Sequence, residues 1–310
     1  MKNLPKIAMG AWAWGDTDGY FGNTMTGEEF RPIFEAAVNE GLNLWDTATA
    51  YSNGESEKIL GKLVNDAGRE KIIVSTKFTP QMAGMYGDSV VKMCEASLER
   101  MNMEYFDIYW IHNPIGAPEY TKQPIPLLQS GKVKSVGVSN HNLAQIKEAD
   151  EILKAAGYRV SAVQNHYSLL NRSSEESGIL DYCKANDIVF YGYMTLEQGA
   201  LSGKYDAEHP FPEGSARAKV FNPMMKQIEV ITAELKKVAE AQGVSAAQIA
   251  TAYAVNKGVL PILGVTKMYQ VEEAVKTADI VLTTEEVASL EAAADKSGVS
   301  SIQFWESKME

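Results

Sequence analysis

Five polar residues, Asp46, Lys77, His112, Ser139 and Gln164, each stand at the C-terminal tip of a short apolar run, and they follow one another at 31, 35, 27 and 25 residues. Each interval is the length of one strand plus one helix. The full set of strand candidates is KIAMGAW (6–12), LNLWD (42–46), KIIVSTK (71–77), FDIYWIH (106–112), KVKSVGVS (132–139), VSAVQN (160–165), DIVFYGY (187–193) and VLPILG (259–264). These runs are short and rich in β-branched or aromatic side chains, as strands are. Amphipathic segments with helix-start signals lie between them. Thr26–Glu29, Ser245–Gln248 and Thr283–Glu286 read as capping boxes, and Gly41 as a helix stop. Such alternation builds either a doubly wound sheet or a barrel. A doubly wound dinucleotide fold needs GxGxxG after its first strand, and the chain has none; GAWAWG (10–15) fits neither that pattern nor a P-loop. In a (β/α)8 TIM barrel all strand tips meet on one face, which is where the active site forms. The expectation is an α/β fold of that kind, a single domain over residues 1–310.

Composition narrows the function classes. A formal charge of −11 argues against nucleic acid or an anionic membrane surface as partner. No stretch approaches the ~18 consecutive apolar residues of a membrane span. Pro5, Lys6 and Gly10 break up the N-terminal segment, so it does not read as a signal peptide. Cys94 and Cys183 have no CxxC spacing and read as buried or idle thiols, which fits a cytoplasmic protein. With no evident assembly segment, the expected state is a monomer.

The rim of such a barrel would bring together Asp46, Tyr51, Lys77 and His112. Each has an ordinary structural explanation alone: a cap, a loop residue, a solvated cation, a core histidine. Together they describe an acid–base centre. A tyrosine hydroxyl normally titrates near pH ~10, too high for easy proton exchange. An ammonium beside it favours the phenolate, a carboxylate holds that ammonium, and a neutral imidazole can orient a substrate oxygen.

At these residues the chain resembles the aldo-keto reductases. WDTATAYSNGESEKILGK (45–62) is similar to that family's signature, and VSTKF (74–78), DIYWIHNP (107–114), GKVKSVGVSN (131–140) and VQNHYSLLNR (163–172) are similar to its next four blocks. The resemblance implies that Asp46, Tyr51, Lys77 and His112 form a catalytic tetrad. Tyr51 would protonate a carbonyl oxygen as hydride arrives from nicotinamide. Lys77 and Asp46 would lower the tyrosine pKa, and His112 would orient the carbonyl. Ser139, Asn140 and Gln164 would bind the carboxamide, and Tyr193 would stack on the nicotinamide ring. Leu196, Gly199 and Lys204 would line the pyrophosphate path, although Met194-Thr195-Leu196 departs from the family's Ser-Pro-Leu.

Gly264, Thr266, Lys267, Gln270 and Glu273 fall in the block that grips the adenosine end. Here Gln270 stands where NADP-specific members carry an arginine, and Ala274 replaces an asparagine. NADP(H) is the family default, while NAD(H) or dual use stays open. The substrate implied is a small carbonyl or alcohol. Aromatics gather in segments that overhang the rim, Trp12, Trp14, Tyr20, Phe21, Phe78, Phe304 and Trp305; Trp12 and the tail aromatics read first as packing of the barrel rim, whereas Trp14 and Phe78 are expected in the pocket because they directly follow strand tips. Proline-rich 113–130 reads as a rim loop with at most a short helix, and 206–222 as a candidate lid. Two rival readings differ in class. One is a metal-dependent hydrolase, disfavoured because the four histidines are scattered without an HxH pair. The other is a non-catalytic, redox-sensing cofactor-binding subunit on the same barrel.

Overall fold

The computed structural model describes residues 4–17, 19–22, 24–303, 306 and 309. Eight parallel strands, β1 (Ala8–Gly10), β2 (Leu44–Asp46), β3 (Ile73–Phe78), β4 (Phe106–Ile111), β5 (Val133–Ser139), β6 (Val160–His166), β7 (Val189–Tyr193) and β8 (Leu260–Gly264), pair in sequence order. Pairing of β1 with β8 closes the sheet into a barrel, with helices between successive strands. The capping boxes are present. In each, the N-cap backbone N–H of Thr26, Ser245 or Thr283 is accepted by the Glu or Gln side chain three residues on. A fourth, Asn142 with Gln145, opens the helix after β5.

Strand period sets what faces the barrel axis, because successive side chains point to opposite sides. Leu44, Ile108, Trp110, Ala162, Tyr191 and Leu260 fill the interior as one cluster. Their neighbours Trp45, Tyr109, Ile111, Val163 and Phe190 join the larger core beneath the helices. The Trp110 ring lies where a side chain on Gly137 would otherwise sit: an added Cβ would come within 2.3 Å of it. Counting on from the interior residues by twos brings Asp46, Lys77, His112, Ser139 and Gln164 to the inward parity at the strand ends. This apolar plug therefore floors the site.

Parity also decides two pocket residues. Phe78 follows inward-facing Lys77, so it points outward; it is fully buried against Tyr120, with ring centroids 4.7 Å apart. Trp14 is also fully buried, stacked on Phe30 at 4.6 Å, with its indole N–H donated to the Val265 carbonyl at 2.8 Å. Neither lines the rim cavity, which corrects the expectation for both. Segment 113–130 carries two short helices, Glu119–Lys122 and Ile125–Ser130, one more than expected. Pro124 and Pro126 sit at the start of the second, where a missing N–H breaks no intrahelical bond. Phe304 and Trp305 lie outside the described residues.

Candidate active site

The turn after β2 sets the place of Tyr51 on the barrel rim. Tyr51 N–H bonds to the Ala48 carbonyl at 3.0 Å, and Ser52, Asn53 and Gly54 then run through the left-handed region with φ of 48°, 52° and 88°. This bend carries Tyr51 back over the rim. Left-handed non-glycine residues cost energy and persist only where surrounding contacts hold them. Here the contacts come from the rest of the signature: Ser56 donates to the Ala11 carbonyl at 2.7 Å, and buried Glu57 accepts from Thr76 and from Arg100. Gly61 completes the anchor, since a Cβ there would lie 2.7 Å from the Met101 backbone.

Lys77 is completely buried beneath Tyr51. Its three N–H groups are all used, by the Asp46 carboxylate, by the Thr47 carbonyl at 2.8 Å and by the Tyr51 hydroxyl oxygen at 3.1 Å. The other Asp46 oxygen accepts from Ser75 at 2.5 Å and Gln164 at 3.4 Å. Because the Tyr51 oxygen accepts from Lys77, its own proton is left to donate elsewhere. Among the described residues nothing accepts it, and the hydroxyl borders an open cleft.

Electrostatics refine the expectation that both charged neighbours acidify Tyr51. Burial, the largest effect, raises the phenol above its ordinary value; Lys77 pulls it down, and the Asp46 charge pushes it up again. The net direction is upward, so Tyr51 rests as a neutral phenol. Burial opposes the charge on Lys77, but attraction to Asp46 and Tyr51 outweighs it and raises that pKa. His112 is driven down to about 3 by burial and then by the Lys77 charge, so its ring is neutral. Its Nδ1 lies 3.1 Å from the Thr79 hydroxyl, a partner that sequence reasoning missed although Thr79 stands two residues beyond Lys77.

A cleft of about 920 Å³ runs from Trp12, Phe21, Met25, Gln81 and Asn113, past Tyr51 and His112, toward Lys267 and Gln270. It gathers Ser139, Asn140, Gln164, Tyr193, Leu196, Gly199, Lys204, Gly264, Thr266, Lys267, Gln270 and Glu273 along its walls. Trp12 lines it in place of Trp14 and Phe78, stacked on Tyr51 at 5.8 Å and edge-on to Phe21 at 4.9 Å. Its parity with Gly10 was the available sequence signal. The amides of Asn113 and Gln81 are joined at 2.9 Å.

Two details of the far end were not legible in sequence. Gln270 turns its carbonyl oxygen back onto the N–H groups of Thr266 (2.8 Å) and Lys267 (2.9 Å), at the start of helix Met268–Thr277. Arg217, from the helix Ala216–Phe221, also lines the cleft; its buried Nε has no partner among the described residues. Segment 206–222 is anchored by Tyr205 stacked on Phe211 at 3.9 Å, and by the Asn222 side chain bonded to the Phe211 backbone at 3.0 Å.

Comparison with known proteins decides the family. The model of the Aldo/keto reductase family matches residues 6–295. The chain belongs to that family, one of oxidoreductases. Among relatives, it is 29% identical to "Pyridoxal reductase, chloroplastic" of Arabidopsis thaliana, over 97% of this chain and 86% of that protein. It is 28% identical to an aldo-keto reductase of Schizosaccharomyces pombe whose name specifies NADP(+), over 88% of this chain and 84% of that one. The solved structure of a glycerol dehydrogenase from Gluconobacter oxydans superposes with a TM-score of 0.79 at 26% identity, covering 94% of this chain and 92% of that one.

Proposed function

We propose that this protein reduces a neutral aldehyde or ketone to the alcohol, reversibly, with NADP(H) as hydride carrier and Tyr51 as proton donor. The observation that carries this reading is the direction of the Lys77–Tyr51 hydrogen bond. It fixes the hydroxyl oxygen and leaves the proton to an acceptor in the cleft.

The cleft suits a dinucleotide. Ser139, Asn140 and Gln164 supply donors and acceptors for a carboxamide, and Tyr193 supplies a flat face beside them. Lys204 and Arg217 put two cations on the cleft lining, which suits the negative charge of a pyrophosphate. Lys267 lines the same cleft and is the cation this reading assigns to a 2′-phosphate. Bound nicotinamide supplies the hydride. Neutral His112, held by Thr79, hydrogen-bonds the carbonyl oxygen and places it at Tyr51. As negative charge grows on that oxygen, Tyr51 gives up its proton, and the adjacent Lys77 ammonium stabilises the phenolate left behind. Asp46 keeps that ammonium charged in a site otherwise hostile to charge. In the reverse direction the same phenolate removes the alcohol proton.

Around Tyr51 and His112 the described lining is Trp12, Phe21, Met25, Gln81 and Asn113, aromatic, apolar or amide but not cationic. Such a pocket favours an uncharged carbonyl on a flat body and, among the described residues beside it, offers no exposed cation to a phosphate or carboxylate. The name of the Arabidopsis relative supports a neutral aromatic aldehyde. The test follows NADPH oxidation with pyridoxal, with its 5′-phosphate, and with a panel of neutral aldehydes. Turnover of the neutral compounds with the phosphate ester rejected is expected. Protein that binds NADPH yet turns over none of the panel refutes the reading.

A further inference from the structure

Behind Tyr193 lies a buried cluster that the proton transfer does not use. His166, the last residue of β6, sits between two carboxylates. Its Nε2 is 2.8 Å from Glu197 Oε1, and its Nδ1 is 2.7 Å from Glu306 Oε1. None of the three side chains is more than 2% exposed. An imidazole that donates to a carboxylate oxygen from each nitrogen is an imidazolium. Burial opposes that charge, but Glu197 and Glu306 outweigh it and raise His166 to about 10.

Each carboxylate reaches a different part of the cofactor cleft. Glu197 belongs to the turn after β7, where Met194, Glu197, Gln198 and Gly199 have φ of 61°, 48°, 54° and 103°. Side chains resist that backbone region unless neighbours impose it. The neighbours here are His166, Ser168 and Ser301, all bonded to Glu197 Oε1. Glu306 comes from the C-terminal segment, and its Oε2 accepts from the Gln303 N–H at 3.3 Å. Its Oε1 also lies 3.0 Å from the Tyr193 hydroxyl, which reaches Asn140 Oδ1 at 2.6 Å. The Tyr193 ring packs against the His166 ring at 5.5 Å, with an interplanar angle of 25°. One imidazolium thus joins the C-terminal segment, the turn on the phosphate side and the tyrosine–asparagine pair on the nicotinamide side.

We propose that Glu306, His166 and Glu197 form a positioning cluster that presets the cofactor face before anything binds. Glu306 and His166 fix Tyr193 and, through it, Asn140, while Glu197 fixes the 194–199 turn. The inference rests on the reading of the cleft as a dinucleotide site. All three act through other residues and touch no reacting atom. A preformed site spares the cofactor the cost of ordering it, so loosening the cluster weakens cofactor binding specifically.

The experiment uses the full chain and titrates NADPH by nicotinamide fluorescence into wild type, Glu306→Gln, Glu306→Asp, Tyr193→Phe and the Glu306→Gln/Tyr193→Phe double variant. Melting temperature and the KM for a neutral aldehyde at saturating NADPH are measured alongside. Glu306→Gln keeps the shape but removes one of the two charges that hold the imidazolium, the one bonded to Tyr193, and a rise of about tenfold in Kd is expected, equivalent to about 1.4 kcal/mol. Glu306→Asp restores most of the affinity, aldehyde KM moves by less than about twofold, and the double variant falls short of additivity because both changes cut one linkage. A Glu306→Gln protein that melts lower but binds NADPH as wild type does overturns the inference, because the cluster is then only a structural tie. Additive effects in the double variant overturn the Tyr193 route. Failure of wild type to bind NADPH refutes the cofactor reading instead.

Discussion

Replacing Asp46 with asparagine removes one charge while keeping nearly the same volume, and it tests how the site holds a buried ammonium. Lys77 is wholly buried, and of its three acceptors only Asp46 is a carboxylate. At a typical ion-pair separation of about 3 Å and an effective dielectric near 20, that carboxylate stabilises the ammonium by roughly 5 kcal/mol. Removing one member of a buried pair costs about 3–5 kcal/mol. For a chain of this size, an unfolding entropy of about 2.1 cal/mol/K per residue converts that loss into a melting point lower by roughly 5–8 °C. Without the carboxylate Lys77 loses its proton more easily, and a neutral amine no longer supports the Tyr51 phenolate. Turnover then falls by about 10²-fold or more, within the span of general-acid contributions. Differential scanning calorimetry and steady-state carbonyl reduction measure the two effects. A variant that melts within 1–2 °C of wild type (about one kcal/mol on this scale) and keeps turnover within about threefold refutes the role assigned to Asp46.

Three further outcomes follow from individual contacts. Gly61→Ala places a Cβ 2.7 Å from the Met101 backbone, which cannot yield as a flexible side chain would, so thermal unfolding should show a loss of about 1–3 kcal/mol. Gln270→Arg releases the Thr266 and Lys267 N–H groups from the glutamine oxygen and adds a guanidinium for a 2′-phosphate. The NADPH-over-NADH affinity ratio should rise about tenfold or more, and an unchanged ratio means that Gln270 does not weaken phosphate recognition. His112, held at about 3 when folded against an ordinary 6.5, takes up a proton only on unfolding between those values. Stability should therefore fall as pH drops from 6.5 toward 3, by up to about 1.4 kcal/mol per pH unit from this group. Comparison of wild type with His112→Gln isolates the slope.

Much of this architecture could be read from the chain because it is periodic. The intervals from Asp46 to Gln164 carry the βα repeat, and all eight strands lie within the runs that their composition marks out, apart from one-residue extensions of β3 and β6. The site residues stand out because charge at the tip of a buried strand is costly and conspicuous. The misplacement of Trp14 and Phe78 had a different origin. Proximity to a strand tip says where the backbone is, whereas strand parity says which way a side chain points, and parity sends Phe78 outward and Trp12 inward. Thr79 and Glu306 were hidden for another reason. Each meets its partners only after the chain has closed over distances that no local pattern records, such as the 140 residues between His166 and Glu306. The pKa of Tyr51 likewise depends on burial, which outweighs the pull of Lys77 and is set by the whole rim.

The most direct test of the account is Tyr51→Phe. The substitution removes one oxygen and leaves the ring, so its stacking against Trp12 and the cleft around it are retained. Transient kinetics with NADPH and a reactive aldehyde should show cofactor binding close to that of wild type, with carbonyl reduction slowed by about 10²–10⁴-fold. Reduction by Tyr51→Phe at a rate near that of wild type contradicts the account, because the proton would then come from another group.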